Sequence, residues 1–541
     1  MSFNSYGFLF IFLPVVVLGF WLLLRFTSHR IALGWLLGAS VVFYLASSPR
    51  SLAIIAPSIL LDYVIARVLL HAPSSASKWR NTLLAVGIAA NIAALGYFKY
   101  KNFLLDSSNV LFGTHFTLAP LLLPLGISFL VFQKIAFLAD VHVGKLTVVT
   151  LSDFLLFTLF FPRTIAGPIV HYDEVMPELR QVRVTDCATH VAVGLCLLAI
   201  GLAKKTLIAD NLGPYVSAAF DTPAFPGLPD QPHTLIVSWV GVLAYALQLY
   251  FDFSGYSDMA LGVARLIGVR LPMNFNSPFK AASIVEFWSR WHITLTHFLT
   301  AYIYTPLVLH LTRRRARKGQ SILQGSRSKP AAIAVLVGLP TLVTMAISGL
   351  WHGAGWQFVL WGVLHGVYLT INQCWRLRRS RRRVPADRPS RITQILSRGV
   401  TFALVVLTLV FFRSDSIATA LAILHGLVGS HGVLPLDLQA LLSAGIDVPW
   451  AFTEWQLPLP AFIWIGFLLP AVMLLPNSLE LLARFQPALD FPDVAFGTTA
   501  ATGRGPRGVA LNRMVATLAA LLMLLSIMSI GHSGGFVYGQ F

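Results

Sequence analysis

Long apolar stretches recur along this chain with few polar interruptions. Examples are Phe8–Leu24, Thr234–Tyr250, Ala331–Ser348 and Met514–Ile530. A helix needs roughly 20 apolar residues to cross a hydrocarbon core of about 30 Å. Backbone groups in lipid must pair within their own segment, and the alternating pattern of a membrane barrel is absent from the sequence. The pattern therefore predicts an all-α polytopic membrane protein.

The same pattern predicts roughly 11–14 spans or half-spans. They lie near residues 8–24, 31–47, 51–70, 82–98, 119–139, 151–161, 190–208, 234–253, 295–311, 331–349, 356–373, 397–413, 460–475 and 510–530. Several are short or interrupted by Gly or Pro, notably 119–139 and 151–161, which favours broken or re-entrant helices covered by protein or water. The loops at 430–459 and 486–508 are expected outside the membrane. We expect one domain over residues 1–541, with a core at 95–375 and C-terminal spans at 395–541.

Composition and charge agree with a membrane location. Of the 541 residues, 56% are hydrophobic and 11% are charged, whereas about a quarter are charged in a soluble domain. Much of the net charge of +18 lies in two loops, Arg313–Lys329 and Arg376–Arg391. Such clusters set topology and contact anionic headgroups, so we expect membrane lipids and not nucleic acid as their partner. Two predicted crossings separate the loops, which places both in the cytoplasm.

The first apolar stretch is expected to be a retained span. A signal peptide has Lys or Arg ahead of its apolar stretch and a small-residue cleavage site after it. No Lys or Arg precedes this stretch, and no convincing cleavage site follows it. Arg25 and Arg30 come directly after it. Because positive residues favour the cytoplasmic side, the N-terminus is expected outside the cytoplasm.

The cysteines and histidines do not predict a metal centre. Cys187, Cys196 and Cys374 have neither the spacing of metal ligands nor a paired framework. HExxH and CxxC patterns are also absent from the sequence. We therefore expect no catalytic metal.

The first candidate site is the sequence SGLWHGAGW, which lies between two apolar spans and contains His352. Glycines follow and precede this histidine, which lets a backbone or a substrate approach closely and breaks the helix locally. Histidine titrates near neutral pH and can accept a proton from a hydroxyl. A hydrogen-bonded histidine in an interfacial turn is the structural alternative.

The second candidate site is FWSRWH, residues 287–292, in a stretch too polar for lipid. Ser283 and Glu286 predict a capping box that begins a helix there. On that helix Trp288 and His292 would share a face, and Arg290 would be free to meet a phosphate or carboxylate. The alternative is an interfacial aromatic girdle with a snorkelling arginine.

The third candidate site is YFDFSGYSDM, which places Asp252, Tyr256 and Asp258 at the end of the predicted span 234–253. Helix caps are the usual role of Asp and Ser near helix ends. A polar gate and a proton path are the other interpretations. The remaining histidines are expected to be structural, with His365 in WGVLHGV the least certain.

Taken in order, several segments resemble the membrane-bound O-acyltransferases, and among them the bacterial alginate O-acetyltransferase-like branch. The segments are FNSYGFLFIFLPVV at the start, LPLGISFLVFQKIAFLADV (residues 123–141), FFPRTIAGPIVHYDEV (160–175), LYFDFSGYSDMALG (249–262), FWSRWHITLT (287–296), SGLWHGAGWQFVLWGVLHG (348–366) and FVYGQF at the end. The resemblance covers the whole chain.

This resemblance implies helices arranged around a central funnel and a thin tunnel. It places the family's signature histidine at His352 and its second characteristic histidine at His292. The implied donor is an acyl thioester, usually acetyl-CoA, that arrives from the cytoplasm and is not a bound cofactor. The implied acceptor is a hydroxyl of a cell-surface glycan, or a periplasmic SGNH-type partner that relays the acyl group. The implied location is the bacterial inner membrane.

Eight other residues are candidate tunnel or substrate contacts. They are Trp288, Arg290, Trp291, Trp351, Asp258, Tyr256, Gln133 and Asn274. We expect His352 to deprotonate the acceptor hydroxyl and His292 to position it or to stabilise developing charge. A tryptophan N–H or His292 would then stabilise the oxyanion.

The chain departs from the branch in two places. Thr300 and Ala301 replace its usual Arg-Asp pair, and Asn276-Ser277 follow MNF where a basic or aromatic residue is common. These changes leave open which acceptor the protein uses: alginate, cellulose, peptidoglycan or another surface glycan. D-alanyl transfer from a carrier protein is an enzymatic alternative. A transporter or flippase is an alternative of another class, and it predicts paired broken-helix repeats that the sequence does not show.

Overall fold

The computed structural model describes residues 1–73, 77–119, 121–221, 233–325, 328–381, 390–433, 459–489, 508, 510–532 and 536. These residues form helices, turns and loops and contain no strand. The expectation of an all-α polytopic protein is confirmed. Most of the predicted loops 430–459 and 486–508, the end of the second basic loop and nearly all of the C-terminal FVYGQF fall outside the described residues.

The α-helices are numbered here in chain order. They are α1 Leu13–Phe26, α2 His29–Ser47, α3 Pro49–His71, α4 Ser77–Leu95, α5 Lys101–Phe112, α6 Ile127–His142, α7 Leu151–Leu159, α8 Tyr172–Gln181, α9 Cys187–Ala203, α10 Asp210–Phe220, α11 Leu235–Leu266, α12 Ile284–Trp288, α13 Ile293–Leu299, α14 Thr305–Arg317, α15 Pro330–Ile333, α16 Leu339–His352, α17 Trp356–Arg381, α18 Arg391–Arg413, α19 Ile417–Leu427, α20 Leu459–Leu474, α21 Ser478–Leu481 and α22 Arg513–Met528. Short π-helical segments extend or join several of them, as at Thr300–Tyr304 between α13 and α14.

Among the described residues, eight helical segments are long and apolar enough to cross a membrane. They are Phe8–Phe26, His29–Ser47, Pro49–His71, Ser77–Phe112, Val184–Phe220, Leu235–Leu266, Pro330–His352 and Arg391–Arg413. Three shorter apolar helices are Ile417–Leu427, Pro460–Leu474 and Arg513–Met528. Two helical segments, Pro330–His352 and α17, lie between the two basic loops, but only the first is among the eight, so the two predicted crossings stay a prediction.

The chain forms two compact units. The first contains Met1–Ala203, Ser254–Asn274 and Ser478–Gly535, and the second contains Lys204–Phe253, Phe275–Asn477 and Phe536–Phe541. Helix α11 contributes its first part to the second unit and its last part to the first.

In the first unit, glycines bring α9 close to the last part of α11. A Cβ on Gly201 would lie 2.6 Å from the carbonyl oxygen of Gly255, and one on Gly194 would lie 2.8 Å from that of Gly262. Real side chains do not approach backbone atoms so closely, so only glycine fits at these crossing points. Small residues at helix contacts are a common device in membrane proteins.

The predicted broken segments of the first unit are indeed short helices. Helix α6 begins only at Ile127, after Gly126 with φ +69°, and α7 ends after nine residues at Leu159. A short 3₁₀ turn, Phe161–Arg163, follows α7. The break after α7 is buried in protein, as irregular backbone at membrane depth requires, whereas residues 121–123 before α6 are exposed.

In the second unit, α16 and α17 form a tightly packed antiparallel pair. A Cβ on Gly349 would collide with the carbonyl group of Phe358, and one on Gly362 would collide with that of Met345. The helix backbones therefore approach each other closely along their contact. This approach holds the turn between the two helices, where His352 lies.

Candidate active site

His352 is the last residue of α16, and α17 begins four residues later at Trp356. Its side chain is buried, with 4% of the residue exposed. A Cβ on Gly353 would collide with the ring of Phe358, so the residue after the histidine must be glycine. The predicted local break of the helix is confirmed, and it places His352 at a buried helix end.

His292 lies in a break between α12 and α13 and is completely buried. Its φ of 44° and ψ of 52° are left-handed, a conformation that costs a non-glycine residue about 1–3 kcal/mol and is most often found at functional sites. Burial lowers the pKa of His292 to about 3. The imidazole is therefore neutral at physiological pH.

The predicted helical pairing of Trp288 with His292 is wrong. Ser283 does cap α12, since its Oγ accepts from the Glu286 N–H at 3.2 Å, but α12 ends at Trp288. The carbonyl oxygen of Arg290 accepts instead from the Asn276 N–H at 2.9 Å. This tertiary hydrogen bond ends the helical pattern before His292.

Arg290 is paired within the protein. Its Nη2 lies 2.8 Å from Glu286 Oε1, and its Nη1 donates to the Asn276 carbonyl oxygen at 3.1 Å. The arginine stabilises the turn that holds His292. A contact between Arg290 and substrate stays a prediction.

The two histidines lie close together in the second unit. Their ring centroids are 6.4 Å apart, and the ring planes are inclined by 58°. The Trp351 ring contacts both, with its centroid 4.9 Å from that of His352 and 6.0 Å from that of His292. The ring of Phe253 covers His292 edge-on at 4.8 Å.

A largely apolar cavity adjoins His352. It holds about 390 Å³ of empty space, counting its opening to solvent. Its lining residues are Leu249, Phe279, Phe287, Trp291, His352, Trp361, His365, Val405, Leu409 and Phe412. Of the candidates from sequence, His352 and Trp291 line this cavity, whereas His292 does not.

His365, expected to be structural, lines the same cavity and has a defined hydrogen-bonding role. Thr408 Oγ1 donates to the Val405 carbonyl oxygen at 2.7 Å, so at 2.9 Å it must accept from His365 Nε2. Nδ1 then carries the lone pair that accepts from the Trp288 indole N–H at 3.3 Å. In this tautomer, His365 of α17 hydrogen-bonds to Trp288 and to Thr408 of α18 in the cavity wall.

Trp361 lies between the two cavity histidines. Its ring centroid is 5.2 Å from that of His352 and 4.8 Å from that of His365. The indole N–H is buried and has no acceptor among the described residues. Leaving such a donor unpaired costs about 1–3 kcal/mol. Sequence reasoning missed this residue, although it lies one helical turn before His365.

Four candidate contacts belong to the first unit. Gln133 Nε2 donates to the Phe157 carbonyl oxygen at 3.0 Å, and Asn274 Nδ2 donates to Ser257 Oγ at 3.3 Å. Tyr256 stacks on Phe3 with ring centroids 5.1 Å apart. Asp258 is buried in the same helix, α11.

The carboxylates of the third candidate site are not helix caps, because α11 continues to Leu266. Asp252 is fully buried and lies 2.8 Å from Lys205 Nζ, which also lies 2.7 Å from Asp210 Oδ1. All three residues belong to the second unit. A buried ion network of this kind explains Asp252 without a gate or a proton path.

One cluster in the described residues has the geometry of a metal site. Ligand atoms of Asp140, His171 and Asp173 lie within 4.8 Å of one another. Lys145 Nζ, however, lies 2.8 Å from Asp173 and 3.7 Å from Asp140. Burial opposes a charge on His171, but the neighbouring carboxylates outweigh it and raise its pKa, which disfavours the neutral imidazole that a metal needs.

Comparison with known proteins decides the family. The chain is 35% identical over 460 residues to the peptidoglycan O-acetyltransferase of Helicobacter pylori, covering 80% of this chain and 81% of that protein. The chain belongs to the membrane-bound O-acyltransferase family. Residues 144–323 also match the model of this family, a region that contains His292 and ends before His352. The protein is therefore an O-acyltransferase and a multi-pass membrane protein, which sets aside the transporter interpretation.

Two other relatives of this O-acyltransferase indicate which branch of the family it resembles. It is 35% identical over 428 residues to the probable alginate O-acetylase AlgI of Azotobacter vinelandii, covering 78% of this chain and 76% of that protein. It is 29% identical over 300 residues to the teichoic acid D-alanyltransferase of Streptococcus thermophilus, covering 53% of this chain and 68% of that protein. The resemblance to the alginate O-acetyltransferase-like branch is confirmed.

Proposed function

We propose that this O-acyltransferase moves an acetyl group from a cytoplasmic thioester, acetyl-CoA, to a hydroxyl group outside the cytoplasm. The acceptor is a cell-surface polysaccharide or a periplasmic SGNH-type relay protein. The observation that carries the proposal is that His352 lines a buried aromatic cavity with a second imidazole, His292, 6.4 Å away. The acetyl and glycan classes are suggested by the names of two relatives, the peptidoglycan O-acetyltransferase and the probable alginate O-acetylase.

In the proposed reaction His352 is the general base. It takes the proton from the acceptor hydroxyl as the oxygen attacks the thioester carbonyl carbon. The tetrahedral intermediate then collapses, the C–S bond breaks, and the thiolate leaves with the proton that His352 held. General base assistance of this kind typically contributes about 10²–10⁴ in rate.

The negative charge that develops on the carbonyl oxygen needs a hydrogen-bond donor. The Trp361 indole N–H supports this assignment, since it is buried beside His352 and has no acceptor among the described residues. An indole N–H already held in place in a largely apolar pocket costs little reorganisation during the reaction. His292 acts as a positioning residue, because it packs against His352 and Trp351 and does not line the cavity.

The cavity chemistry favours acetyl over D-alanyl. A D-alanyl group carries an ammonium, which needs an acidic or other polar partner when it is buried. None of the described lining residues is Asp or Glu. The walls are aromatic and aliphatic apart from the imidazoles and the indole, which suits the methyl group of an acetyl ester.

The same proposal fixes the orientation. Both basic loops lie in the cytoplasm, the N-terminus lies outside it, and the membrane is the bacterial inner membrane. The net charge of +18 and its concentration beside helix ends support this arrangement.

Labelled donors test the proposed reaction. Membranes that contain the protein are incubated with acetyl-CoA labelled in the acetyl group, or with a labelled D-alanyl carrier protein, and esters on extracted glycan and periplasmic protein are measured. We expect label only from acetyl-CoA. Label that enters only from the D-alanyl carrier would contradict the proposal.

A further inference from the structure

Arg163 is a buried cation in the first unit that has no anionic partner in the part of the chain that the structure describes. Only 6% of the residue is exposed, and it lies in the 3₁₀ turn that follows the short helix α7. Its Nε and Nη2 atoms are buried and have no hydrogen-bond acceptor among the described residues. No carboxylate among those residues forms an ion pair with it.

These two atoms form the edge of the guanidinium that can donate two parallel hydrogen bonds to a pair of carboxylate or phosphate oxygens. Arg270 in the same unit shows the usual arrangement. Its Nε donates to Glu178 Oε2 at 2.9 Å and its Nη2 to Glu178 Oε1 at 2.8 Å. Arg163 presents the same two donors with no carboxylate opposite them.

Such an arrangement is energetically costly if nothing ever binds there. An arginine keeps its proton in a protein, so it cannot become neutral to escape burial as a lysine can. An unpaired buried charge strongly destabilises a fold. Ionisable groups at membrane depth that persist despite this cost tend to mark functional sites.

Among the described residues, the surroundings of Arg163 supply no acceptor to this edge. The Phe157 ring stacks 4.9 Å from the guanidinium carbon, which supports the flat face and supplies no acceptor for the edge. Arg163 lines a cavity with about 270 Å³ of empty space, counting its opening to solvent, together with Gln133, Thr158 and Thr164. Gln133 uses one amide hydrogen on the Phe157 carbonyl and retains a second.

We propose that Arg163 is the anchor of a binding site for an oxyanion, a phosphate or a carboxylate that pairs with both Nε–H and Nη2–H. Gln133 supplies a further donor. The planar guanidinium fork matches the two oxygens of these groups, which gives short charge-assisted hydrogen bonds. This site goes beyond the acyl-transfer reaction and does not depend on the assignment of His352. The oxyanion comes either from a soluble compound or from the headgroup of an anionic lipid.

Thermal unfolding of the purified full-length protein in neutral detergent tests the proposal. The midpoint is measured in chloride alone and then, at matched ionic strength, with inorganic phosphate, with acetate, or with phosphatidylglycerol. The variants are Arg163→Gln, which removes the charge and the fork, and Arg163→Lys, which keeps the charge without the fork. Arg50→Gln is the matched control, because Arg50 is an exposed arginine of the same unit.

We expect at least one probe to raise the wild-type midpoint by about 2–4 °C. The rise persists in Arg50→Gln, is smaller in Arg163→Lys and disappears in Arg163→Gln. The apparent Kd of the ligand for Arg163→Gln is at least tenfold weaker than for the wild type. A response to phosphate or acetate identifies a soluble oxyanion, and a response to phosphatidylglycerol alone identifies a lipid headgroup.

The unliganded proteins supply a second readout. Because Arg163→Gln removes an unpaired buried charge, its midpoint in chloride should be equal to or above that of the wild type. Equal ligand shifts in the wild type and Arg163→Gln, or no shift with any probe, overturn the proposal. So does an Arg163→Gln protein that unfolds at lower temperature or fails to accumulate, because the guanidinium then serves the fold.

Discussion

His292 and His352 hold their imidazole rings 6.4 Å apart, and the Trp351 ring contacts both. Only His352 of the two lines the cavity. This relationship divides their roles in the proposed reaction: His352 exchanges the proton, and His292 holds His352 and Trp351 in place.

Trp361→Phe removes the unpaired indole N–H and keeps most of the aromatic surface. Loss of one oxyanion donor typically lowers kcat by about 10²–10³. We expect a fall of this size in acetyl transfer by purified protein, with little change in the KM for acetyl-CoA. Trp375→Phe, an exposed tryptophan on the same helix, is the control. A Trp361→Phe enzyme with wild-type kcat would exclude the indole as the donor.

His292→Asn tests the positioning role through pH. Burial lowers the pKa of His292 to about 3 from 6.5, so protonation is disfavoured in the folded state. Its contribution to stability is therefore complete above about pH 6.5 and declines as the pH falls towards 3. Asparagine tolerates the left-handed backbone. We expect the stability advantage of wild type over His292→Asn to shrink between pH 7 and pH 5.

The activity of His292→Asn should also be lower than that of the wild type. The pKa on the acidic side of its kcat/KM–pH profile should stay at the wild-type position. A neutral His292 contributes no titration near pH 6, so this pKa belongs to another group. If His292→Asn moved this pKa, His292 would be the titrating base and the assigned roles would be reversed.

Gly353→Ala tests the turn that carries His352. The added methyl would collide with the Phe358 ring, and overpacking of this kind costs about 1–3 kcal/mol. We expect a lower unfolding midpoint and reduced activity. Gly399→Ala in α18 is the control, since no atom lies within 4 Å of its Cβ position and alanine favours a helix by about 0.5–1 kcal/mol. If Gly353→Ala and Gly399→Ala had similar unfolding midpoints, the predicted collision with the Phe358 ring would be wrong.

Lys205→Met tests whether Asp252 belongs to a structural ion network. The change leaves two carboxylates without their shared cation, and breaking a buried pair costs about 3–5 kcal/mol. We expect poor accumulation or a much lower midpoint, whereas Lys318→Met at an exposed position should have no effect. A Lys205→Met protein with a normal midpoint and no activity would instead favour a proton path.

The sequence predicts the parts of this site that local chemistry determines. Glycines around His352 predict the end of α16, and the apolar lengths predict helices and their membrane location. The break before His292 depends on a hydrogen bond from Asn276, sixteen residues earlier in the chain, so local periodicity predicted a continuous helix there. Likewise, the partners of Arg290 and Asp252 come from the tertiary fold.

His365 and Trp361 also depend on tertiary contacts that local sequence does not predict. Their spacing on α17 predicts a shared face, but the contact that fixes the tautomer of His365 comes from Thr408 on α18. Whether an indole or guanidinium has an acceptor is a property of packing. Only the folded chain identifies Trp361 and Arg163 as donors without an acceptor among the described residues.

The most direct test of the account is the ester content of the cell surface with and without His352. His352→Ala is expressed at wild-type level, its insertion in the membrane is verified, and glycan esters are measured by mass analysis. The account predicts a loss of acetyl esters by a factor of about 10² or more. Acetyl esters at the wild-type level in correctly inserted His352→Ala would contradict it.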